Sequence, residues 1–332
     1  MRKWICLAGA LFIFSCNRGV VRNQTRGLAL GTTYTIIYLA NETLDFQKEI
    51  DSVFAVVNKS LSTYIPDSDI SRINKGDSLV VVDKMFKEVF ELSRKVHKQT
   101  NGYFDPTVGT LVNAWGFGPG KQIAMDSVTI DSLLQYVGFD KVAITPQNRI
   151  TKENPNIYFD FNAIAKGYAI DRLAVMLDKK GIENYLVEVG GEVVAKGINL
   201  EKKKPWVIGI DDPQAEIGRK MKLLINMSNR ALASSGNYRK YRVDSITGKK
   251  YVHTIDPLTG YTKNSNTLGV TILANDCATA DAYATAFMAM DLHEAFKVIN
   301  YNKDLEAYII YLDEKGVTQE FLTKGFKELL VE

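Results

Sequence analysis

Residues 276–290 read DCATADAYATAFMAM, a stretch of small and apolar residues interrupted by two acids and two threonines. Such a composition is typical of a helix that packs in a protein core. Asp281 and Thr285 are four residues apart, so on a helix their side chains lie on the same face, one turn from each other. The stretch therefore predicts a core helix that carries a carboxylate and a hydroxyl at one place.

Two interpretations of this pair stay open on these residues alone. The pair could be a solvated helix edge, with the threonine hydrogen-bonded to its own helix. It could also be half of a magnesium site, because Mg²⁺ takes one or two protein carboxylates together with phosphate oxygens. Small neighbours would let a bulky ligand approach closely: Ala278, Ala282 and Ala284.

The segment 160–167, DFNAIAKG, predicts a strand end followed by the start of a helix. Backbone donors near Ala163 and the Lys166 ammonium would converge there, at the positive end of the helix, where an anion is stabilised. This is the outline of a phosphate or pyrophosphate site. The alternative is an N-capped helix with a surface lysine.

His253 precedes Ile255, Asp256 and Pro257 at a predicted boundary between a strand and a turn, where catalytic groups often lie. A histidine there could accept a proton from an attacking hydroxyl. A hydrogen-bonded turn histidine is the alternative. His97 and His293 lie in amphipathic helices among charged residues, and we expect them to face solvent.

The whole chain predicts one α+β domain with a mainly antiparallel sheet and flanking helices. It has 332 residues, of which 46% are hydrophobic and 24% charged, and no repeat or linker divides it. The predicted elements are a strand from Leu28, helices within 45–64, 69–74 and 84–99, an ordered loop at 101–121, a strand and helix over 156–181, strands of a second sheet at 184–197 and 204–213, and a hairpin at 306–325.

The N-terminus carries the pattern of an export signal. Arg2 and Lys3 precede an apolar run that is too short to span a membrane, and Ser15 directly precedes Cys16, as in a bacterial lipoprotein box. We expect residues 1–15 to be removed, Cys16 to be lipidated and residues 16–27 to form a polar tether, with the domain at 28–332. This predicts a lipid-anchored protein of the bacterial cell envelope that faces the periplasm. A plain secretory signal is the alternative.

Charge and cysteine content exclude other classes of protein. Removal of Arg2 and Lys3 leaves 41 − 2 = 39 basic against 38 acidic side chains, so no electrostatic footprint for nucleic acid exists. Only two of the three cysteines, Cys16 and Cys277, would remain, which excludes a disulfide framework. Nucleophile-elbow, P-loop, dinucleotide-fingerprint and zinc spacings are absent from the sequence.

Seven ordered blocks resemble the ApbE family of FAD:protein FMN transferases, from about Leu28 to the C-terminus. The blocks are STYIPDSDISRIN (62–74), GYFDPTVGTLVNAWGFG (102–118), DFNAIAKGYAID (160–171), VEVGGEVVAKG (187–197), ALASSGNYRKY (231–241), HTIDPLTG (253–260) and ATADAYATAFMAM (278–290). The resemblance implies that FMN is transferred from FAD to a threonine or serine of a target protein, with magnesium required and AMP released. The implied targets are exported domains of redox-complex subunits.

Carried over by these blocks, Asp281, Thr285 and the backbone carbonyl of Ala163 resemble the family's metal ligands. The residues that resemble its FAD contacts are Leu30, Tyr64, Phe104, Asp105, Pro106, Asp160, Lys166 and Ile255. Leu30 stands where the family often has methionine, and Asn162 where it commonly has glycine.

We expect Lys166 to stabilise phosphate charge and His253 to deprotonate the acceptor hydroxyl. A magnesium-dependent FAD pyrophosphatase and a non-catalytic flavin-binding lipoprotein are the alternatives.

Overall fold

The computed structural model describes residues 19–214, 220–236, 241–243, 250–263 and 265–331. The expected signal segment 1–15 and the expected lipid attachment site, Cys16, lie outside the described residues. Within the described ranges, every helix is too short or too polar to cross a lipid bilayer.

An eight-stranded sheet forms the centre of the molecule, and all its neighbouring strands are antiparallel. Strands are numbered here in chain order. The strands of this sheet, in spatial order, are β1 (Val21–Ala29), β2 (Thr32–Ala40), β5 (Asn184–Val189), β6 (Glu192–Lys196), β9 (Arg230–Gly236), β12 (Thr267–Ala274), β13 (Glu306–Leu312) and β14 (Thr318–Leu322). Three two-stranded ribbons accompany it: β3 (Val142–Ile144) with β4 (Ile150–Lys152), β7 (Trp206–Asp211) with β8 (Met221–Met227), and β10 (Tyr241–Val243) with β11 (Lys250–Val252). The mainly antiparallel α+β prediction is confirmed.

Some of the helices begin at a side-chain cap that the sequence supplies. Ser68, Asp83 and Asp276 each accept a hydrogen bond from the third residue of the helix that follows. The helices of the described chain are α1 (Gln47–Leu61), α2 (Asp69–Asn74), α3 (Lys84–Gln99), α4 (Gly109–Ala114), α5 (Ser127–Leu134), α6 (Ala165–Lys179), α7 (Cys277–Ala289), α8 (Leu292–Tyr301) and α9 (Lys324–Lys327). The predicted helices α1, α2 and α3 are confirmed.

Helix α7 is the predicted core helix. All its residues are buried except Thr279 and Thr285, which are partly exposed. It packs on β9 and β12 and beside α6, and its alanines share one hydrophobic core with Val270 and Ile272 of β12. The small side chains let the helix lie close to the sheet, so the polar groups of α7 are held in a fixed place.

The opposite face of the sheet is covered by the β7–β8 ribbon. Trp206 and Ile225 of this ribbon pack on Leu232 and Tyr308 of the sheet. The prediction that 184–197 and 204–213 form one second sheet was wrong. The first segment becomes β5 and β6 of the central sheet, because the chain returns from α6 and pairs β5 with β2.

The folded domain begins earlier than the sequence predicts. Val21–Ala29 pairs with β2 along its whole length, although residues up to 27 were expected to form a tether. The buried Asn23 holds this strand in place, since its side-chain oxygen accepts a hydrogen bond from the Leu44 N–H at 2.8 Å. The predicted single strand from Leu28 is therefore the end of β1, a turn at Leu30 and Gly31 with positive φ, and then β2.

Two other segments differ in detail. The ordered loop at 101–121 contains α4, and the indole N–H of Trp115 fixes it to the Gly260 carbonyl at 2.9 Å. The strand predicted before Asp160 is only an isolated bridge between Tyr158 and Val108. The C-terminal hairpin is confirmed as β13 and β14.

Candidate active site

The first turns of α6 and α7 lie in direct contact at Gly167. A Cβ atom on Gly167 would lie 2.4 Å from the carbonyl oxygen of Cys277, closer than real Cβ atoms approach. The absence of a side chain at this position therefore lets the two helix starts meet.

At each helix start, backbone N–H groups donate hydrogen bonds to a carboxylate of the other helix. Asp281 of α7 accepts a hydrogen bond from the Gly167 N–H at 3.1 Å. Asp171 of α6 accepts from the Cys277 N–H at 2.8 Å with one oxygen and from the Ala278 N–H at 2.9 Å with the other. Backbone N–H groups at a helix start lack partners within the helix, so both carboxylates satisfy donors that would otherwise be buried and unpaired.

Lys166 and Glu192 form a partly buried ion pair next to Asp281. The Lys166 ammonium, on a side chain that is 31% exposed, lies 2.9 Å from Oε1 of Glu192, which is only 3% exposed. The carboxyl groups of Glu192 and Asp281 also lie within hydrogen-bonding reach of each other. The sequence prediction named Lys166 and missed Glu192. The available signal was a charged residue directly after the glycine pair in VEVGGEVVAKG, within an otherwise apolar strand.

Burial and neighbouring charges have opposing effects on the pKa values of the groups in this cluster. Glu192 first, and Asp281 less strongly, raise the pKa of the Lys166 ammonium above its usual value, so it stays charged. Burial raises the pKa of Asp281, while Lys166 and the Gly167 N–H oppose that shift. Burial, followed by the Asp281 charge, raises the pKa of Glu192. The Lys166 ammonium thus lies next to two carboxyl groups, Glu192 and Asp281, whose ionisation is disfavoured by burial.

Oxygen atoms that could be ligands of Mg²⁺ lie on the side of α7 that carries Asp281. Thr285 is one turn beyond Asp281 and is partly exposed. Its hydroxyl lies 3.5 Å from the Ser235 hydroxyl on β9. Ala163 lies two residues before α6, whose first turn contacts Asp281. A carboxylate, a hydroxyl and a carbonyl are hard ligands that fit Mg²⁺ together with phosphate oxygens.

The described residues contain no group of three or more His, Cys, Asp or Glu side chains that could hold a metal ion. A cation bound to Asp281 at this place would take its other ligands from Thr285, the Ala163 carbonyl and oxygens of the substrate.

A second group of site residues surrounds Asp160. Its backbone N–H donates to the Pro106 carbonyl at 2.7 Å, and its carboxylate accepts from the Asn162 N–H at 2.7 Å. Tyr64 is 60% exposed. Burial and then the charge of Asp160 raise the pKa of the Tyr64 hydroxyl. Tyr64 therefore presents an exposed aromatic ring beside a buried acid, a surface on which a planar ring could stack.

Asp160 does not cap α6. The N-cap position of this helix is Ile164, which makes no side-chain cap hydrogen bond. The donor at the positive end of α6 is instead the Gly167 N–H, which Asp281 accepts. The Gly167 N–H, which could have served an anion at this helix start, is therefore already used by Asp281.

The Asp105 carboxylate joins its own loop to a later segment. It accepts hydrogen bonds from the N–H and hydroxyl of Thr107 and from the Phe139 N–H. Phe104 is buried in the core, and its carbonyl lies 2.9 Å from Nδ1 of His97. The expectation that His97 faces solvent was wrong, because this contact holds its partly buried ring. His293 is exposed as expected.

His253 lies after β11, in a segment that packs on the 101–121 loop. Its ring centroid is 6.5 Å from that of Phe117. Ile255 is buried beside Leu111 and Trp115, whereas Leu30 packs against the core that contains α7. The structure thus groups Lys166, Asp281 and Thr285 at the α6–α7 contact, Tyr64 with Asp160 and Pro106, and His253 with Phe117.

This fold and this site define a class: a single-domain α+β protein with a candidate anion and cation site where two helix starts meet on an antiparallel sheet. The chain belongs to the ApbE family, whose model matches residues 30–309.

Proteins named FAD:protein FMN transferase are similar to it over nearly their whole lengths. The protein of Haemophilus influenzae is 34% identical, over 98% of this chain and 96% of that protein. The protein of Vibrio cholerae is 35% identical, over 99% of both. A solved structure titled flavin transferase ApbE from Vibrio cholerae superposes with a TM-score of 0.82 at 32% identity, covering 94% of this chain and 100% of that one. The ApbE protein of Thermotoga maritima superposes with a TM-score of 0.81 at 30% identity.

Proposed function

We propose that this protein is an FAD:protein FMN transferase that uses Mg²⁺ and transfers FMN to a threonine or serine hydroxyl of a target protein, releasing AMP. One observation supports this proposal above the others. The family's metal-ligand positions, Asp281 and Thr285, lie with the partly buried Lys166 where two helices meet.

The arrangement suits attack on a pyrophosphate. The phosphates of FAD repel a nucleophile until their negative charge is neutralised, and a bound Mg²⁺ supplies that Lewis-acid effect. Lys166 offers a permanent positive charge, since Glu192 and Asp281 raise its pKa. Asp281, Thr285 and the Ala163 carbonyl would hold the ion, and Tyr64 would support the flavin or adenine ring.

The reaction needs a base and produces a leaving group. The acceptor hydroxyl loses its proton to His253 and forms a bond to the phosphorus of the FMN half. The bond between that phosphorus and the bridging oxygen breaks, and AMP leaves with the electron pair. His253 is assigned this role because its ring lies against Phe117, and its segment is fixed by Ile255, which packs with Leu111 and Trp115.

We further propose that the enzyme is anchored by lipid on Cys16 and faces the periplasm. Since β1 begins at Val21, only residues 17–20 would separate the folded domain from the lipidated residue. At about 3.5 Å per residue, this keeps the domain within roughly 20 Å of the membrane surface. Exported domains of membrane-bound redox complexes are acceptors that an enzyme at this height can reach.

Incubation of the protein with FAD, Mg²⁺ and an acceptor domain tests the proposal. Mass spectrometry should show the acceptor carrying FMN, with AMP in solution. An acceptor whose target threonine is replaced by alanine is the matched control and should stay unmodified. Free FMN beside an unmodified acceptor would support the pyrophosphatase instead. Unchanged FAD that stays tightly bound would support a non-catalytic flavin-binding protein.

A further inference from the structure

Glu192 is the buried acid of the site for which the family resemblance supplies no role. It is the first residue of β6 and follows a turn formed by Gly190 and Gly191, both with positive φ. The N–H of Gly191 donates to the Glu188 carboxylate at 2.7 Å. Strand pairing of Val189 with Glu192 closes this tight turn, so the backbone that carries Glu192 has little freedom.

Fold stability does not explain the pair between Glu192 and Lys166. Burying a charge costs several kcal/mol, and an ion pair at a buried position is often no more stabilising than apolar residues of similar size. In this pair Lys166 is 31% exposed and Glu192 only 3%, so the cost falls mainly on Glu192, whose carboxyl group also meets that of Asp281. What the pair does achieve is a fixed position for the ammonium of Lys166.

Lys166 has a second acid nearby that could take its ammonium. The charge of Asp281 also acts on Lys166, and Asp281 directly contacts the N–H of the next residue, Gly167. Nevertheless, among the described carboxylates it is Glu192 that forms the ion pair with Lys166. If the Glu192 charge were removed, the nearest remaining anion for the ammonium would be Asp281.

We propose that Glu192 is a positioning residue that holds the Lys166 ammonium away from Asp281. Asp281 then stays available to a divalent cation, and the ammonium stays directed to the substrate phosphates. Without Glu192, Lys166 and the cation would compete for one carboxylate. The inference rests on the proposed function only in taking Asp281 as a ligand of Mg²⁺.

Glu192→Gln tests this directly, because glutamine keeps the size of the side chain and removes its charge. Calorimetric titration of the full chain with Mg²⁺ alone should show a Kd about tenfold higher than for the unchanged protein. The Mg²⁺ concentration that gives half-maximal FAD turnover should rise by a similar factor, while kcat at saturating Mg²⁺ changes by less than about threefold. Glu188→Gln removes a carboxylate from the neighbouring strand but keeps an amide oxygen that can accept from the Gly191 N–H, so it should leave both values within twofold.

A double variant separates positioning from a simple loss of negative charge. If Glu192 acts through Lys166, then adding Glu192→Gln to Lys166→Met should not weaken Mg²⁺ binding further, since no ammonium remains to compete. An equal loss of affinity in both backgrounds would overturn the proposal, and so would an unchanged Kd in Glu192→Gln alone.

Further controls distinguish a folding defect of the variant from a failure of either proposal. Glu192→Asp keeps the charge and should recover part of the Mg²⁺ affinity, and it replaces Glu192→Gln if thermal unfolding shows that the amide variant is not folded. Full affinity in a folded Glu192→Gln protein that still transfers FMN would refute the role of Glu192 and leave the proposed function intact. If the unchanged protein transfers no FMN, the proposed transferase function is refuted, while the Mg²⁺ titrations still test the role of Glu192.

Discussion

Asp281 and Asp171 are two aspartates that make the same kind of contact at the same helix crossing, yet their surroundings differ. Asp171 is partly exposed and uses both carboxylate oxygens on backbone N–H groups at the start of α7. Asp281 is buried, uses one oxygen on the start of α6 and lies beside Lys166, with Thr285 one turn further along the helix. Both are held by helix starts, but only Asp281 also meets a second acid, Glu192, and the ammonium of Lys166.

This contrast separates a structural carboxylate from a functional one. A carboxylate whose oxygens both satisfy backbone donors is fully used in joining two helices. A carboxylate that meets a second acid and an ammonium has strongly perturbed electrostatics, which is typical of a functional site. The predictions below test this distinction, in order of decreasing effect.

Asp281→Asn should abolish most of the activity without unfolding the protein. We expect kcat/KM for FMN transfer to fall about 10³-fold, which corresponds to about 4 kcal/mol, because the neutral amide is a poor ligand for Mg²⁺. The melting temperature should change by only a few degrees, since the amide oxygen can still accept from Gly167. A loss of less than tenfold, measured by mass spectrometry of the acceptor, would place the metal ligand elsewhere.

The free energy of unfolding should depend on pH through Asp171. Burial raises the pKa of this carboxyl from 3.8 to about 7. The folded state therefore binds more protons than the unfolded state in this window, and the associated stability is fully present below about pH 4 and lost as the pH rises through about 7. At about 1.4 kcal/mol per pKa unit, the upper limit of the change is about 4 kcal/mol.

Denaturant unfolding between pH 4 and 8 measures this dependence. The unchanged protein should lose stability relative to Asp171→Asn as the pH rises, because asparagine does not titrate. A constant difference between the two proteins across this range would contradict the assignment.

Gly167→Ala should disturb both aspartates at once. Its Cβ would meet the Cys277 backbone at 2.4 Å, so the two helices would have to move apart, and overpacking of this kind costs about 1–3 kcal/mol. Chemical denaturation should show that loss together with reduced FMN transfer. Gly269→Ala is the matched control, since the nearest atom to its Cβ is 3.4 Å away, and it should cost less than about 1 kcal/mol.

Asp171→Ala should reduce stability but preserve the chemistry. It leaves the N–H groups of Cys277 and Ala278 without their acceptor, which costs about 1–3 kcal/mol. Transfer of FMN per folded molecule should stay within about twofold at a temperature well below the melting point. A loss of activity as large as that of Asp281→Asn would remove the distinction between the two carboxylates.

Local patterns predicted the elements whose hydrogen bonds close within a few residues. Ser68 before α2, the apolar spacing of α1 and α3 and the alternation in the C-terminal hairpin all led to the correct element. Errors arose where a partner lies far along the chain. Residues 21–27 read as a polar tether because alternate side chains of an edge strand are exposed, and only pairing with β2 shows that they belong to the sheet.

The same distinction between local and distant partners applies to the residues of the candidate site. Lys166, Asp281 and Thr285 were found from ordered motifs, since their residue types and spacing suit phosphate and metal chemistry. Glu192 and Asp171 were missed. Their contacts join segments that are far apart in sequence; Asp171 and Cys277, for example, are 106 residues apart. No spacing rule reports such a pair.

By itself, the sequence determined a core helix with a carboxylate and a hydroxyl on one face, a lysine at another helix start and membership in a recognisable class of flavin enzymes. These features depend on helical periodicity and on the order of motifs, and both can be read from the sequence without knowing the fold. The tertiary structure alone decided which acid pairs with the lysine, which acid only joins the helices and which acid lies beside both the lysine and a second carboxyl group. Electrostatic partners are set by distance in space, and that distance exists only after α6 and α7 have packed on the sheet.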